Sequence, residues 1–431
     1  MVAASNKESH YTLHLGSCHD VLDTLPENSV DSIVTDPPYE INFMAKTWDN
    51  AGVAFNPVTW QKALRVLKPG GHMLVFGHSR KMHRIIVAIE DAGFEIRDTL
   101  MWLYGSGFPK SHNVGLSVDK KLGHGDRGHR ISTASRYHPD GTFEPNGEKL
   151  EPYMGKTSQG LKWQGWGTAL KPAYEPIVLA RKPFKGSIAE NVLEHGTGGI
   201  NIDECRVKSK DAPEGRKRHG GGKEENHTSF YLPDSEHESP AGRFPANVMH
   251  DGSEESTKDM WDWETDSDAS RYFYCAKANK KDRDEGLDYK QAELPASAEF
   301  RPNHMEKAQK GEGGNPYGRW KPVKNTHPTV KPTELMQYLV RLITPKGGTV
   351  LDPFMGSGST GKATMIENNE RNANYHFIGI DLEQEYIDIA KARIEYGISY
   401  QEHKAKEKEA ETVDENQTSI FDFLGSQQNR S

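Results

Sequence analysis

Strand-like and helix-like patterns alternate along residues 11–104. The apolar runs "YTLHLG", "SIVTDPPY", "HMLVFG" and "EIRDTLMWLY" read as strands. Between them "VLDTLP", "TWQKALRVL" and "HRIIVAIEDAG" read as helical stretches, with "KPGG" as a turn. Such alternation predicts a parallel sheet with helices on both faces. From Gly105 to Pro172 the pattern breaks into Gly, His, Lys and polar residues, and the strand "EPIVLARK" follows. Residues 184–324 are irregular and polar. The rhythm returns at Asn325 with helix "TELMQYLVRLI", strand "GTVLDPF", a Gly-rich turn, helix "STGKATMIEN", strand "HFIGID" and helix "EQEYIDIAKARIEY". The reading is an α/β fold, a mostly parallel doubly wound sheet written in two halves. Residues 1–183 form one half, with a polar insertion over 105–171, and 325–400 the other. Residues 184–324 form an inserted module and 401–431 a charged tail expected to be disordered.

At the end of one strand stands an unusual loop, Asp36-Pro37-Pro38-Tyr39. Prolines neither continue a strand ladder nor allow a helix at the residue before them, so the loop is stiff and carries a carboxylate and a phenol. In open α/β sheets the carboxyl ends of strands are where ligands bind. A strand that merely ends in a proline turn fits this stretch equally well, so the rest of the chain must decide.

Composition narrows the class. The chain has 431 residues, of which 34% are hydrophobic, and lacks a run of about 18 apolar residues. Its first residues have no charged-then-apolar signal pattern, so a cytoplasmic protein with no membrane partner is expected. Cys18, Cys205 and Cys275 are isolated and form no C-x-x-C pair, which argues against a disulfide framework or a zinc ribbon. The net charge of -8 averages over segments of opposite sign. Six Lys or Arg face two acids over Gly105–Arg136 and again over Arg206–Arg218, whereas Asp251–Asp268 holds eight acids and one lysine.

The stretch "LDPFMGSGSTGKA", Leu351 to Ala363, follows a strand and opens a helix. It nearly spells a P-loop, but Ala363 stands where a Ser or Thr would hold magnesium. Gly356, Gly358 and Gly361 also spell a dinucleotide fingerprint, and Asp381 supplies the acid about 20 residues on. Asp352, however, would repel a pyrophosphate. The loop therefore suits a nucleoside without phosphates. S-adenosylmethionine is one: adenosine, an amino-acid end and a sulfonium that a carboxylate tolerates.

Together these stretches resemble the amino-directed DNA methyltransferases, which modify exocyclic nitrogens of adenine or cytosine. The resemblance rests on the Asp36–Tyr39 loop and the D-x-F-x-G-S-G loop Asp352–Gly358, with "NTHPTVKP" (Asn325–Pro332), "KPAYEPIVLARKP" (Lys171–Pro183) and "IGIDLEQEYIDIAKARI" (Ile378–Ile394) around them. Their order resembles the permuted beta class. The resemblance implies a Rossmann-like methyltransferase fold with an inserted target-recognition module. It implies S-adenosylmethionine as cofactor, double-stranded DNA as partner, a site-specific activity of the restriction-modification kind, and no metal; a homodimer is left open. It implies catalytic roles for Asp36, Pro37, Pro38 and Tyr39. It implies cofactor contacts for Asp352, Pro353, Phe354, Gly356, Ser357, Gly358, Thr360 and Asp381, with Thr329, Lys331 and Asp20 around them. One departure stands out: the family often has Gly-Asp after the first strand, where this chain has Gly16-Ser17, and Asp20 lies one helical turn on.

Asp-Pro-Pro-Tyr favours adenine N6 within the family. Cytosine N4 is the alternative, and a non-catalytic DNA-binding subunit a further one. Lys110, Lys120, Lys121, Arg127 and Arg130 are candidate phosphate contacts, as are Arg216, Lys217 and Arg218. Trp163 and Trp166 read as a small local core, with a wedge against DNA as the alternative. In the tail, Gln417, Ile420, Phe423 and Leu424 resemble the peptides that dock into replication sliding clamps.

Overall fold

The computed structural model describes residues 10–41, 52–105, 111–124, 136–137, 143–144, 154–207, 242–253, 273–275, 277–290, 324–406 and 408. The chain divides into two compact units. The larger comprises Met1–Leu103, Glu175–Gln291 and Thr329–Ser431, and the smaller Tyr104–Tyr174 and Ala292–Pro328. This differs from the boundaries expected above. The region after 184 is not one separate module, because parts of it lengthen the sheet.

The larger unit is built on β1 (Tyr11–Leu15), β2 (Val30–Thr35), β3 (Leu67–Phe76), β4 (Glu95–Leu103), β7 (Tyr174–Arg181), β8 (Val248–His250), β9 (Phe273–Tyr274), β10 (Thr349–Asp352) and β11 (His376–Asp381). The order across the sheet is β1-β11-β10-β2-β3-β7-β4-β8-β9. The pairs from β1 to β3 are parallel, and β7 runs antiparallel to β3. β8 and β9, drawn from the polar module, add parallel to β4. Their short length and polar surroundings explain why no strand signal stood out in the sequence.

β2 is buried at every position and reads as an uninterrupted run, as expected of a strand covered on both faces. Next to it β3 runs through the expected "KPGG" turn. The register passes from Val30↔Leu67 to Ser32↔His72, a bulge that absorbs the extra residues, with Gly70 at φ +76. Helix Pro57–Val66 begins with proline at its first turn and with Asn56 accepting from the Val58 N–H at 3.0 Å. Its inner face buries Trp60, Ala63 and Val66 against Leu22, Ile33, Met73 and Val75, and the Trp60 indole N–H donates to the Ala54 carbonyl at 2.9 Å. Cys18 packs in this same core, and burial pushes its thiol up to about 11, so it is inert filling rather than a nucleophile.

The parallel register carries the functional consequence. Ser32 and Ile33 of β2 lie beside Val350 and Leu351 of β10, and Asp352 pairs in register with Gly379 of β11. Leu15 of β1 pairs with Asp381. Chain segments more than 300 residues apart thus end together at one edge, and Asp36, Asp352 and Asp381 all stand at strand ends there.

In the smaller unit, helices Val114–Lys121 and Ser158–Lys162 are joined by Asp119, whose side chain is buried. It accepts from the backbone N–H groups of Lys156 (2.7 Å) and Thr157 (3.2 Å) and from the Thr157 hydroxyl. Trp163 and Trp166 stack edge to face at 5.2 Å, but both remain exposed, so they do not form the small local core read from the sequence. The interior between the two helices is taken instead by close backbone approach at Gly115 and by the Asp119 carboxylate against Gly160. Strands β5 (Arg136–Tyr137) and β6 (Phe143–Glu144) form a two-stranded antiparallel pair.

Candidate active site

Asp36 is held from two sides. The Tyr39 hydroxyl donates to its Oδ1 at 2.7 Å, and the Lys331 ammonium lies 2.8 Å from its Oδ2. Lys331 also contacts Glu175 Oε2 at 3.1 Å and donates to the Tyr39 hydroxyl at 3.0 Å. Its ammonium lies over the Phe76 ring, with Nζ 4.8 Å from the centroid. Burial raises Asp36 above the usual carboxylate range; Lys331 opposes the rise and Glu175 adds to it. Burial alone would lower Lys331, but Asp36 and Glu175 outweigh it, so the ammonium stays charged. Burial and the same two carboxylates keep the Tyr39 phenol protonated. Lys331, expected among the cofactor contacts, here binds the Asp36–Tyr39 loop. Glu175 was missed, although an acid opening the buried run "EPIVLA" was the available signal.

The glycine loop is organised by its own acids. Asp352 is buried, with Oδ1 accepting from the Thr35 hydroxyl (2.6 Å) and the Phe354 N–H (3.2 Å) and Oδ2 from the Thr360 hydroxyl (2.6 Å). Burial pushes it up to about 6. Asp352 and Thr360 therefore tie the loop to β2. Asp381 accepts from the N–H groups of Gly356 and Glu383, both at 2.9 Å, and burial pushes it also up to about 6. Gly358 sits at φ +76, and a Cβ there would stand 2.9 Å from the Ala390 backbone. Its absence lets helix Ser359–Arg371 meet helix Gln384–Ile398.

Lys362, the lysine of the near P-loop, is fully buried. It pairs with Asp282 (2.9 Å) of the short helix Lys280–Asp284 and with Glu285 just after it. With its charge buried against two carboxylates, it is committed to structure, which argues against the nucleotide-triphosphate reading. Asp282 also accepts from the Thr333 N–H at 3.0 Å and its hydroxyl, capping helix Thr333–Ile343 from outside. Arg393, fully buried, donates to the Ser357 carbonyl at 2.7 Å and to the Asp282 carbonyl at 3.2 Å. Burial would raise Asp282, but Lys362, the Thr333 hydrogen bond and Arg393 hold it below the usual range. Nothing in the sequence marked this acid among its many neighbours.

Asp20 lies exposed in the first turn of helix Cys18–Thr24, whose N-cap is Ser17, with Oγ accepting from the His19 N–H at 3.2 Å. Ser17 is thus a helix cap where the family often has an acid. Thr329 is exposed, and Pro353 is buried beneath the loop. Lys120 and Lys121 are exposed on the last turn of their helix. Lys110, Arg127, Arg130, Arg216, Lys217 and Arg218 lie outside the described residues, as do Gln417, Ile420, Phe423 and Leu424. Residues 401–406, expected to be disordered, are helical, with the His403 ring stacked on Tyr396 at 4.4 Å and Lys404 paired with Glu370 at 3.3 Å. Among the described residues no group of three or more His, Cys, Asp or Glu side chains is placed to hold a metal, and no helix is long and apolar enough to cross a membrane.

A stiff Asp-Pro-Pro-Tyr loop and an acid-braced glycine loop thus stand at one edge of a mostly parallel, Rossmann-like α/β sheet. The chain belongs to the N6/N4 DNA methylase family, whose model matches residues 30–392. It is 30% identical over 167 residues to the type II methyltransferase M.HindIII of Haemophilus influenzae, a match covering 38% of this chain and 40% of that protein. The chain thus spans less than half the length of the curated relatives it matches. Among solved structures it is similar to the PvuII DNA methyltransferase (cytosine-N4-specific), at 12% identity and TM-score 0.39, covering 89% of this chain and 86% of that one. It is also similar to a putative DNA modification methylase of Thermus thermophilus complexed with S-adenosyl-L-methionine, at 15% identity and TM-score 0.35, covering 90% and 96%.

Proposed function

We propose that the protein moves a methyl group from S-adenosylmethionine to N6 of an adenine turned out of duplex DNA at a specific site. One observation carries the reading: Asp36 leaves β2 directly beside the strand that delivers the glycine loop, with Ile33 in register with Leu351. Groups suited to hold an amino nitrogen and groups suited to hold a methyl donor therefore share one edge.

The donor set fits this cofactor. Asp36, Asp352 and Asp381 give the strand ends an acidic character that suits a sulfonium and opposes a polyphosphate. Phe354, Gly356, Ser357, Gly358 and Asp381 would hold the donor, with Asp20 and Thr329 at its margins and Asp352, Pro353 and Thr360 bracing the loop. When bound, it supplies an electrophilic methyl.

The protein's task is the other reactant. An exocyclic amino nitrogen is a poor nucleophile because its lone pair is spread into the ring. Asp36 accepts one of its N–H bonds and the Pro37 carbonyl the other, drawing the nitrogen toward tetrahedral geometry. The prolines fix those acceptors in advance, so catalysis is positional and electrostatic. Tyr39, tethered to Asp36 through its hydroxyl, supplies a flat face for the base. That stacking helps offset the few kcal/mol needed to extrude the base.

Asp at the head of the loop favours adenine over cytosine within the family. Incubating mixed-sequence duplex DNA with the protein and donor, then digesting to nucleosides, is expected to yield N6-methyladenine. N4-methylcytosine alone would overturn the base, and no methylated nucleoside would overturn the activity.

A further inference from the structure

We propose that Glu175 is a positioning residue that sets the charge of the reaction centre, sharing Lys331 so that Asp36 still presents a negative charge to the incoming amino group. The proposal rests on the reading of Asp36 as the acceptor for that group. An ammonium has three N–H donors, and Lys331 has three oxygen partners at hand: Asp36 at 2.8 Å, Glu175 at 3.1 Å and the Tyr39 hydroxyl at 3.0 Å. Its side chain is only 10% exposed, so these contacts are weakly screened.

The charges decide the matter. Asp36 with Lys331 alone is neutral, and a neutral pair does little for a reaction that carries positive charge onto nitrogen. Adding Glu175 makes the cluster net negative by one. Asp36 is faced by Tyr39 from its own loop, by Lys331 ahead of helix Thr333–Ile343, by Glu175 from β7 and by Asp352 from β10. His78 lies against the Tyr39 ring at 6.3 Å, and the next charges outward from Glu175 and Lys331, Lys277 and Asp251, are of opposite sign.

The same arrangement accounts for the proton. The nitrogen lone pair forms the new N–C bond as the S–C bond breaks with its electron pair staying on sulfur. The positive charge passes to nitrogen, which then sheds one proton. Asp36, already accepting that N–H, takes the proton; Lys331 remains paired with Glu175 as Asp36 becomes neutral. The cluster goes from net negative to neutral with no buried cation left alone. Asp36, 21% exposed, then returns the proton to water.

Four variants test this: Glu175→Gln, Lys331→Gln, the double and the conservative Glu175→Asp. In the free protein, without donor or DNA, the Asp36 carboxyl followed by carbon NMR should titrate at lower pH in Glu175→Gln and at higher pH in Lys331→Gln. In single-turnover methyl transfer Glu175→Gln should be slower by about tenfold, the effect of one partly screened charge at this range. The double variant restores a net negative site and should be faster than Glu175→Gln, while Glu175→Asp keeps most of the rate. Donor affinity should stay unchanged throughout. If Asp36 titrates alike in all variants and the two losses simply multiply, Glu175 is only scaffolding. Near wild-type turnover of Asp36→Ala would instead overturn the underlying reading, whatever the titrations show.

Discussion

Three acids at the sheet edge do three different things because their partners differ. Asp36 is held ready by Lys331 and Tyr39, Asp352 is spent on two hydroxyls and a backbone N–H, and Asp381 accepts two backbone N–H groups at the rim. Burial pushes Asp381 up to about 6. Its protonated form is the one folding favours: that contribution is fully present below its unfolded value near 4 and is lost as pH rises through about 6. Donor binding runs the opposite way, since a sulfonium nucleoside is attracted to the ionised form. Donor affinity measured by calorimetry should therefore tighten between pH 5 and pH 7 in the wild-type protein. Asp381→Asn should bind more weakly at pH 7 and lose most of that slope. An unchanged slope in the variant would remove Asp381 from the donor site.

At the scale of elements, the short helix Lys280–Asp284 acts as a clasp. Asp282 caps helix Thr333–Ile343, neutralises Lys362 of the glycine-loop helix and, through its carbonyl, holds Arg393, which in turn holds the Ser357 carbonyl. Breaking a buried pair by removing one partner typically costs about 3–5 kcal/mol, because a charge is left unmatched. Asp282→Ala should lose stability of that order in urea unfolding, and adding Lys362→Met should recover part of it. A loss under about 1 kcal/mol would mean the cluster is solvated rather than buried. The helices and strands flanking this clasp were legible in the sequence: "TELMQYLVRLI" and "HFIGID" coincide with Thr333–Ile343 and His376–Asp381 because apolar spacing alone sets them. The clasp was not, since one Asp among many becomes special only through residues 50 and 80 positions away. Likewise "KPGG" has the composition of a turn, and only pairing with β2 makes it a bulged strand. Both loops were legible as motifs at strand ends, but the partners of Asp36 were not, because Glu175 and Lys331 meet it only after folding.

At the scale of the whole molecule, the strand ends that carry the two loops come from two distant stretches of chain. The early stretch brings Asp36 and Tyr39 on β2; the late one brings the glycine loop and Asp381 on β10 and β11; pairing of β2 with β10 joins them. The division implies that accepting the amino group and holding the donor are separable tasks. Asp36→Ala separates them most directly. Single-turnover methyl transfer should fall at least ~10²-fold, by analogy with the loss of one preorganised hydrogen-bonding group, while donor affinity measured on the same preparation stays within a few-fold of wild type. Near wild-type transfer by Asp36→Ala, with donor binding intact, would contradict the account.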